Sequence, residues 1–302
     1  MCITSIMSTR LICHYVFIII ELILMNKLSI YEQLSFSTTR IETEDEKGCI
    51  FSGTGFFFNL KVKDGIVPLL VTNKHVVKGM KKGVFRFTTA DENANPKCTE
   101  HFIITYENSF EKMWIFHPKN DVDLCVLPIL PLINDAKSKG KNLFYRCLDN
   151  DLIPTADNLS SVDAVEEIIM IGYPNGLWDS TNNMPIVRRG ITATNISFDY
   201  NGKKEFLIDA ACFPGSSGSP VLICNVGAYR DKQGSLNLGS SRVLFVGVLY
   251  AGPQLTVTGD IRIVSVPDSQ QKAMSVAAIP NNLGYIIKSE CILDFVPYFY
   301  NT

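Results

Sequence analysis

Short runs of β-forming residues, separated by turn-forming residues, recur along most of this sequence and constrain its fold more than any other feature. From about residue 35 onwards the runs are rich in Val, Ile, Phe and Thr, and Gly, Asn, Asp or Pro stands between them. They read TRI, GTGFFFNL, IVPLLVT, VFRFTT, HFIITY, DLCVLPI, EEIIMIGYP, GITATNISF, EFLIDAA, SPVLIC and VLFVGVLYAG. Many short strands with turn signals predict an all-β, antiparallel sandwich or barrel rather than a parallel sheet with crossover helices.

Helical periodicity is found only towards the ends of the chain. NKLSIYEQL (26–34) and KSECILDFVPYF (288–299) predict two short helices. A polar stretch, NDAKSKGKN (134–142), divides the strands into two groups and is typical of a connection between lobes. We therefore expect a first lobe over residues 26–137 and a second lobe over residues 138–302.

The first 25 residues raise a separate question, because LICHYVFIIIELILM (11–25) is an apolar run preceded by Arg10. The run has about 15 residues, fewer than the roughly 20 that a membrane-spanning helix needs, and it contains His14 and Glu21. No small-residue cleavage site follows it, and the segment that begins at Met25 resembles an ordinary cytosolic amino terminus. Three interpretations stay open: a misassigned start, a membrane anchor or export signal, and a docked helix.

Composition argues against several classes of function. The chain has 28 basic and 30 acidic residues, so its net charge of -2 gives no global field that would attract nucleic acid or an anionic membrane. The nine cysteines include no CxxC pair and no zinc-like cluster, so we expect no disulfide framework and no metal. The sequence has no phosphate-binding loop and no basic patch interleaved with aromatic residues, so we expect no cofactor. Cys125 and Cys212 are predicted to be small buried hydrophobes in a reducing compartment, which favours the cytoplasm.

One histidine stands out as a candidate general base. Of the four histidines, one lies in the apolar run near the start, and the contexts of His101 and His117 suggest no partner. His75 follows the strand-like VPLLVT run and an Asn-Lys pair, where the rigid end of a strand could present an imidazole to a cleft. Taken alone, such a histidine is more often structural than catalytic.

A carboxylate that could orient this base opens another apolar run, DVDLCVLPI (121–129). Asp123 is expected to be partly buried there, and a buried carboxylate needs a partner such as a histidine N–H. Asp121 would face the same side of a regular strand and is the reserve candidate, although a solvated turn explains it equally simply.

The candidate nucleophile lies in DAACFPGSSGSPVL (209–222), where small residues and glycines predict a tight turn between strands. Gly215 and Gly218 permit backbone conformations that other residues resist, so the N–H groups of Gly215 and Ser217 could converge as an oxyanion hole. Ser217 is then the hydroxyl that a neighbouring base would activate. An isolated GSSGS can also be a hairpin loop without chemistry.

Taken together, these segments resemble a known family. The stretches GTGFFF, LVTNKHVV, DLCVL, IGYPNGL, GITAT and DAACFPGSSGSPV stand in the order found in trypsin-like peptidases, and the closest resemblance is to the disulfide-free, HtrA-like bacterial branch. The resemblance covers roughly residues 35–290. The three motifs stand in the right order. Asp123 follows His75 by 48 residues (123 minus 75), and Ser217 follows Asp123 by 94 residues (217 minus 123). This order favours the catalytic interpretation over the structural one.

This resemblance implies a fold and a mechanism. It implies two six-stranded antiparallel Greek-key β-barrels, with His75 and Asp123 in the first barrel, Ser217 in the second and the active site in the cleft between them. His75 would take the proton of Ser217 and return it to the leaving amine, while Asp123 holds the imidazole. The expected activity is that of a serine endopeptidase acting on proteins or peptides, with a regulatory partner or sensor protein possible and the oligomeric state open.

The chain also departs from the family pattern. Ser216 stands where trypsin has the acid that pairs with a newly cut amino terminus, so activation by that route is not expected, and Ser219 replaces a usual glycine. By the same resemblance Ala211 and Cys212 would form the base of the P1 pocket, and Ala251 and Gly252 would lie in its wall. No carboxylate stands at the base of this pocket to pair with a P1 Lys or Arg, so we expect a small or medium apolar P1 side chain.

Three rival readings remain. The first is a catalytically silent pseudopeptidase that acts as a binding module. The second is a cysteine nucleophile at Cys212, which is five residues from Ser217 and lacks flanking glycines. The third is an α/β-hydrolase esterase, which needs a G-x-S-x-G elbow that GSSGS does not provide.

Overall fold

The computed structural model describes residues 28–107, 109–260, 274–280 and 282–300. The chain divides into two units, Met1–Leu34 and Ser35–Thr302. The apolar run of residues 11–25 lies outside the described residues, so its three interpretations stay predictions. Within the described ranges, no helix is both long enough and apolar enough to cross a membrane.

The first helix, α1 (Ile30–Ser35), begins with a reciprocal pair of hydrogen bonds. The backbone N–H of Ser29 donates to the Glu32 carboxylate at 2.6 Å, and the N–H of Glu32 donates to Ser29 Oγ at 3.3 Å. These bonds satisfy two amide groups that the start of a helix leaves without partners. The short amino-terminal helix predicted over residues 26–34 is therefore confirmed from Ile30 onwards.

Nine strands between residues 38 and 149 form one sheet, and we call this part of the chain the first lobe and the barrel that follows it the second lobe. They are β1 (Thr38–Asp45), β2 (Ile50–Val62), β3 (Gly65–Thr72), β4 (Met80–Ala90), β5 (Pro96–Tyr106), β6 (Ile115–Phe116), β7 (Cys125–Pro128), β8 (Leu143–Phe144) and β9 (Leu148–Asp149). Their order is β5-β4-β1-β2-β3-β7-β6, with β8 on β4 and β9 on β2. Among the described residues these pairings do not close into a ring, so the barrel predicted for the first lobe is not confirmed. β8 and β9 lie beyond residue 138, where we expected the second lobe to begin.

Six strands of the second lobe close into a barrel, as predicted. They are β10 (Glu167–Gly172), β11 (Ile186–Thr192), β12 (Glu205–Asp209), β13 (Pro220–Asn225), β16 (Arg242–Ala251) and β19 (Leu283–Lys288). The order around the barrel is β10-β11-β12-β19-β16-β13. Because β13 returns to lie beside β10, the first four strands have the 4-1-2-3 order of a Greek key. The hairpins β14 (Ala228–Arg230) with β15 (Leu236–Leu238) and β17 (Gln254–Asp260) with β18 (Met274–Pro280) lie outside this ring.

Each lobe has its own apolar core, because alternate residues of a strand face the same side. Phe57, Leu70 and Phe85 are buried in the first lobe, and Phe206 and Ile286 are buried in the second. The all-β class predicted from the sequence is confirmed. The two cores hold the strand ends and turns that carry the candidate site residues.

Helical segments are short and connect strands. They are α2 (Lys74–Val77), α3 (Leu130–Ser138), α4 (Ala156–Ser161) and a carboxy-terminal run of 3₁₀ turns (Ser289–Phe299), which confirms the predicted terminal helix. Pro297 is compatible with these turns and does not end them. The polar stretch 134–142, which we expected to connect the two lobes, begins inside α3, whose buried Leu132 and Ala136 stand one helical turn apart.

Candidate active site

His75 lies in α2, immediately after the end of β3. The two residues that follow it, Val76 and Val77, are buried, and their packing turns the imidazole outwards, where 48% of the side chain is exposed. Asn73 precedes the helix in an extended conformation and donates from Nδ2 to the carbonyl oxygen of Asp123 at 2.8 Å. The end of β3 is therefore tied to the segment that carries the candidate acid.

Asp123 contacts His75 through both carboxylate oxygens. Oδ2 lies 2.5 Å from His75 Nδ1, and Oδ1 accepts the backbone N–H of His75 at 3.1 Å. A carboxylate in this position favours the tautomer with hydrogen on Nδ1, which leaves Nε2 as an acceptor. The reserve candidate, Asp121, is exposed and makes no hydrogen bond to His75.

The other two described histidines are engaged elsewhere. His101 Nε2 lies 2.8 Å from the carbonyl oxygen of Cys98. His117 is buried, with Nε2 3.1 Å from the carbonyl oxygen of Cys291 and Nδ1 accepting the N–H of Lys119 at 3.2 Å. Both rings have backbone partners, and neither contacts Ser217.

The turn that carries Ser217 packs against the first lobe through Thr54 of β2. Thr54 N–H donates to the carbonyl oxygen of Ser217 at 2.9 Å, and Thr54 Oγ1 donates to the carbonyl oxygen of Gly215 at 3.0 Å. Gly215 and Gly218 have φ values of +83° and +87°, the left-handed region that favours glycine. A Cβ on Gly218 would lie 1.9 Å from the carbonyl oxygen of Thr54, so this contact leaves no room for a side chain.

The orientation of the Pro214–Gly215 peptide is held by a neighbouring loop. The N–H of Asn175 donates to the carbonyl oxygen of Pro214 at 2.6 Å. In a trans peptide the C=O and the following N–H point in opposite directions, so the N–H of Gly215 points away from Asn175. Neither this N–H nor that of Ser217 donates to a protein acceptor in the described part of the chain. Both are available to an oxyanion.

His75 and Ser217 approach the same part of β2 from different sides. A Cβ on Gly53 would lie 2.5 Å from Val76, next to His75, while Thr54 holds Ser217. No hydrogen bond joins Ser217 Oγ to His75 Nε2 across the described residues. Such bonds are often long without substrate and shorten in the reacting complex.

A pocket of about 330 Å³ opens beside Ser217. Three of the four residues expected around a P1 pocket are in its lining, and the fourth, Ala211, is not. The lining consists of Cys212, Phe213, Pro214, Ser217, Leu249, Tyr250, Ala251, Gly252 and Pro253. None of these side chains carries a charge, so the pocket suits an apolar group.

Cys212 is buried at this pocket, and burial raises the pKa of its thiol to about 11. A thiol with such a pKa is almost wholly protonated near neutral pH and is a poor nucleophile. Across the described ranges, no three His, Cys, Asp or Glu residues are arranged to hold a metal ion.

Two residues of the site were missed in the sequence. Thr54 lies inside the GTGFFF stretch and Asn175 inside IGYPNGL. Both stretches contribute to the family resemblance, but neither residue was assigned a role from the sequence. Asn175 has a φ of +52°, which asparagine tolerates better than most residues, and an Asn-Gly pair after proline is the signal that could have identified the turn.

Residues 53–226 match the family model of the trypsin-like peptidase domain. Among solved structures, the HtrA-type protease AlgW with a tripeptide is similar at 14% identity and a TM-score of 0.42, over 87% of this chain and 61% of that one. Catalytically active tobacco etch virus protease with product is similar at 12% identity and a TM-score of 0.46, over 91% and 82% of the two chains. The thermostable serine protease AL20 from an extremophilic microorganism is similar at 11% identity and a TM-score of 0.46, over 89% and 100%. No curated protein sequence matches the chain significantly.

Proposed function

The chain belongs to the family of trypsin-like peptidase domains, which are serine-type hydrolases, and we propose that it hydrolyses peptide bonds through Ser217, His75 and Asp123. The observation that carries the proposal is the double contact of Asp123 with His75. Oδ2 lies 2.5 Å from His75 Nδ1 and Oδ1 accepts the backbone N–H of His75, so one carboxylate fixes both the ring and the main chain of this residue. A base held in this way is oriented before substrate arrives.

The proposed reaction proceeds in two halves. Ser217 Oγ attacks the carbonyl carbon, its proton passes to His75 Nε2, and the carbonyl electron pair moves to oxygen. Collapse of this intermediate breaks the C–N bond, and the proton on Nε2 passes to the leaving amine. Water then attacks the acyl-enzyme ester while His75 Nε2 takes one of its protons. Collapse of this second intermediate breaks the bond to Ser217 Oγ, which receives the proton from Nε2, and the carboxylic acid product leaves. A positioned base contributes about 10² to 10⁴ in rate.

We assign the oxyanion hole to the N–H groups of Gly215 and Ser217. The Asn175 bond to the carbonyl of Pro214, and the positive φ of Gly215, support this assignment because they set the direction of the Gly215 N–H. Removing one such donor typically lowers kcat by about 10² to 10³.

The proposed substrates are proteins or peptides with a small or medium apolar P1 residue. The uncharged lining of the pocket beside Ser217 supports this choice. A regulatory partner or sensor protein and the oligomeric state stay open. Action in the reducing cytoplasm is a prediction from cysteine usage, and anchoring or export through residues 11–25 is its alternative.

A fluorophosphonate probe tests the proposal on the full chain, because it reacts with an activated serine. We expect an adduct at Ser217, located by mass spectrometry, and its loss in Ser217→Ala. Asp123→Asn should slow labelling and peptide hydrolysis by about 10⁴, since it favours the wrong imidazole tautomer. Asp121→Asn is the matched control, an exposed acid two residues away, and should leave both rates unchanged.

The alternative is a pseudopeptidase that binds peptides without cleaving them. Folded protein that takes up no probe at any pH between 5 and 9, yet binds peptides, would replace our proposal with that reading. Equal loss in the Asp121 and Asp123 variants would remove Asp123 from the mechanism.

A further inference from the structure

Arg188 is a cation that points into the barrel of the second lobe. Its neighbours in β11, Val187 and Arg189, are exposed on the outer face, and Arg189 pairs there with Glu167. Since side chains alternate along a strand, Arg188 faces the interior. Its Nε and Nη2 atoms are inaccessible to solvent and have no hydrogen-bond partner in the structure. Burial lowers the pKa of the guanidinium, but arginine stays charged throughout the physiological range.

One nitrogen of this guanidinium bridges the two ends of the turn that precedes Ser217. Nη1 donates to the carbonyl oxygen of Ala211 at 2.5 Å and to Ser216 Oγ at 2.9 Å. An Nη atom carries two hydrogens, so it can make both bonds at once. Ser216 is fully buried, which places this contact beneath the surface of the site.

The bridged segment belongs to neither of its flanking strands. β12 ends at Asp209 and β13 begins at Pro220, so no sheet ladder fixes residues 211–216. Ser216 stands between Gly215 and Ser217, and a rotation of its backbone would redirect the N–H groups of both neighbours. Charge-assisted bonds from a buried guanidinium are stronger than neutral ones and resist such a rotation.

We propose that Arg188 is a positioning residue, which holds the turn from Ala211 to Ser216 so that the N–H groups of Gly215 and Ser217 face one oxyanion. This inference rests on the proposed function. Arg188 touches no reacting atom and acts through the backbone of the turn. Its loss should therefore affect the stabilised transition state more than the binding of substrate.

The test compares Arg188→Met with Arg189→Met. The two arginines are adjacent, but only the first reaches the turn. We expect Arg188→Met to lower kcat for an apolar peptide anilide by about 10 to 10² with KM changed less than about threefold. Its affinity for a peptide boronate, which forms a tetrahedral adduct on the serine, should fall by the same factor as kcat. Arg189→Met should match the wild type in all three.

Two further variants separate positioning from folding. Ser216→Ala removes one of the two contacts without removing the charge, and Arg188→Lys keeps a single cationic donor. Both should fall between wild type and Arg188→Met in kcat, and they decide the question if Arg188→Met fails to fold.

The outcomes are distinct. A folded Arg188→Met with wild-type kcat and boronate affinity, whatever its melting temperature, overturns the inference while leaving the proposed function intact. So do wild-type values in both Ser216→Ala and Arg188→Lys. Wild-type protein that takes up no fluorophosphonate at Ser217 overturns the proposed function, and this inference with it.

Discussion

The backbone N–H of Thr54 donates to the carbonyl oxygen of Ser217 at 2.9 Å, so a strand of the first lobe holds the proposed nucleophile of the second. Thr54 Oγ1 also donates to the carbonyl oxygen of Gly215 at 3.0 Å. One residue of β2 thus contacts both ends of the proposed oxyanion hole. The position of Ser217 depends on how closely the two backbones approach, and Gly218 is the residue that permits that approach.

Gly218→Ala is expected to lower the rate of peptide hydrolysis by about 10² or more. Its Cβ would lie 1.9 Å from the carbonyl oxygen of Thr54, and its φ of +87° disfavours a side chain, so the turn must move. A displacement of about 1 Å at a reacting group can lower the rate by about 10². Gly202→Ala is the control, because Gly202 has a φ of +74° and open space around it. Peptide hydrolysis corrected for folded protein should fall only in the first variant, and equal losses would contradict the argument.

The candidate triad could be proposed from the sequence because its signals are local. His75 follows a buried strand, Asp123 opens another, and Ser217 sits between glycines whose backbone freedom is read directly from residue type. The all-β class was predictable from the short β runs and turn residues, whereas the six-stranded barrel was implied by the resemblance to trypsin-like peptidases. Each signal needs only a few neighbouring residues, and the order of the three motifs along the chain favours the catalytic interpretation over the structural one.

The supports of the site were not predictable in the same way. Asn175 reaches Pro214 and Arg188 reaches Ser216 only because barrel strands far apart in sequence come together in one register. From the sequence alone, an arginine such as Arg188 is predicted to be exposed to solvent, and only the closed barrel shows that it faces the interior. The nine-stranded sheet of the first lobe likewise includes β8 and β9, two-residue strands that are too short to leave a pattern in the sequence.

Gly252→Ala should shift the P1 preference towards smaller side chains. Gly252 lines the pocket, and a Cβ there would lie 3.7 Å from Cys212 Cβ and 3.0 Å from the carbonyl oxygen of Leu283. One methyl group in such a pocket typically changes discrimination by about 10-fold or more. The ratio of kcat/KM for P1 Leu over P1 Ala measures the shift. Gly65→Ala, with no atom within 4 Å, should keep the wild-type ratio.

Cys212→Ala should retain activity, because Cys212 is a pocket residue and not the nucleophile. Burial raises the pKa of this thiol to about 11, so only about 10⁻³ of it is thiolate at pH 8. Iodoacetamide should therefore alkylate Cys212 at least about 10²-fold more slowly than the exposed Cys49, as mass spectrometry of timed samples would show. Loss of fluorophosphonate labelling in Cys212→Ala, with the fold retained, would favour the cysteine reading.

His117 should make the folded chain less stable in mild acid. Its side chain is fully buried, and the neutral ring is matched to its surroundings, since Nε2 faces the carbonyl oxygen of Cys291 and Nδ1 accepts the N–H of Lys119. Asp294 lies 3.3 Å from Nε2, and the charge of Lys74 also acts on the ring. Burial outweighs the carboxylate and lowers the pKa of His117 in the folded state.

The unfolded chain therefore binds a proton at His117 more readily than the folded chain does. Unfolding free energy rises with pH wherever the unfolded state holds more protons, so the stability due to a neutral His117 is present above the unfolded pKa of about 6.5 and is lost as pH falls below it. Urea unfolding at pH 7.5 and 5.5 measures this loss. His117→Gln, which keeps an amide donor for Cys291 but does not titrate, should lose less stability over this range than the wild type, while His101→Gln should lose as much. An equal pH dependence in wild type and His117→Gln would show that other groups account for the acid sensitivity.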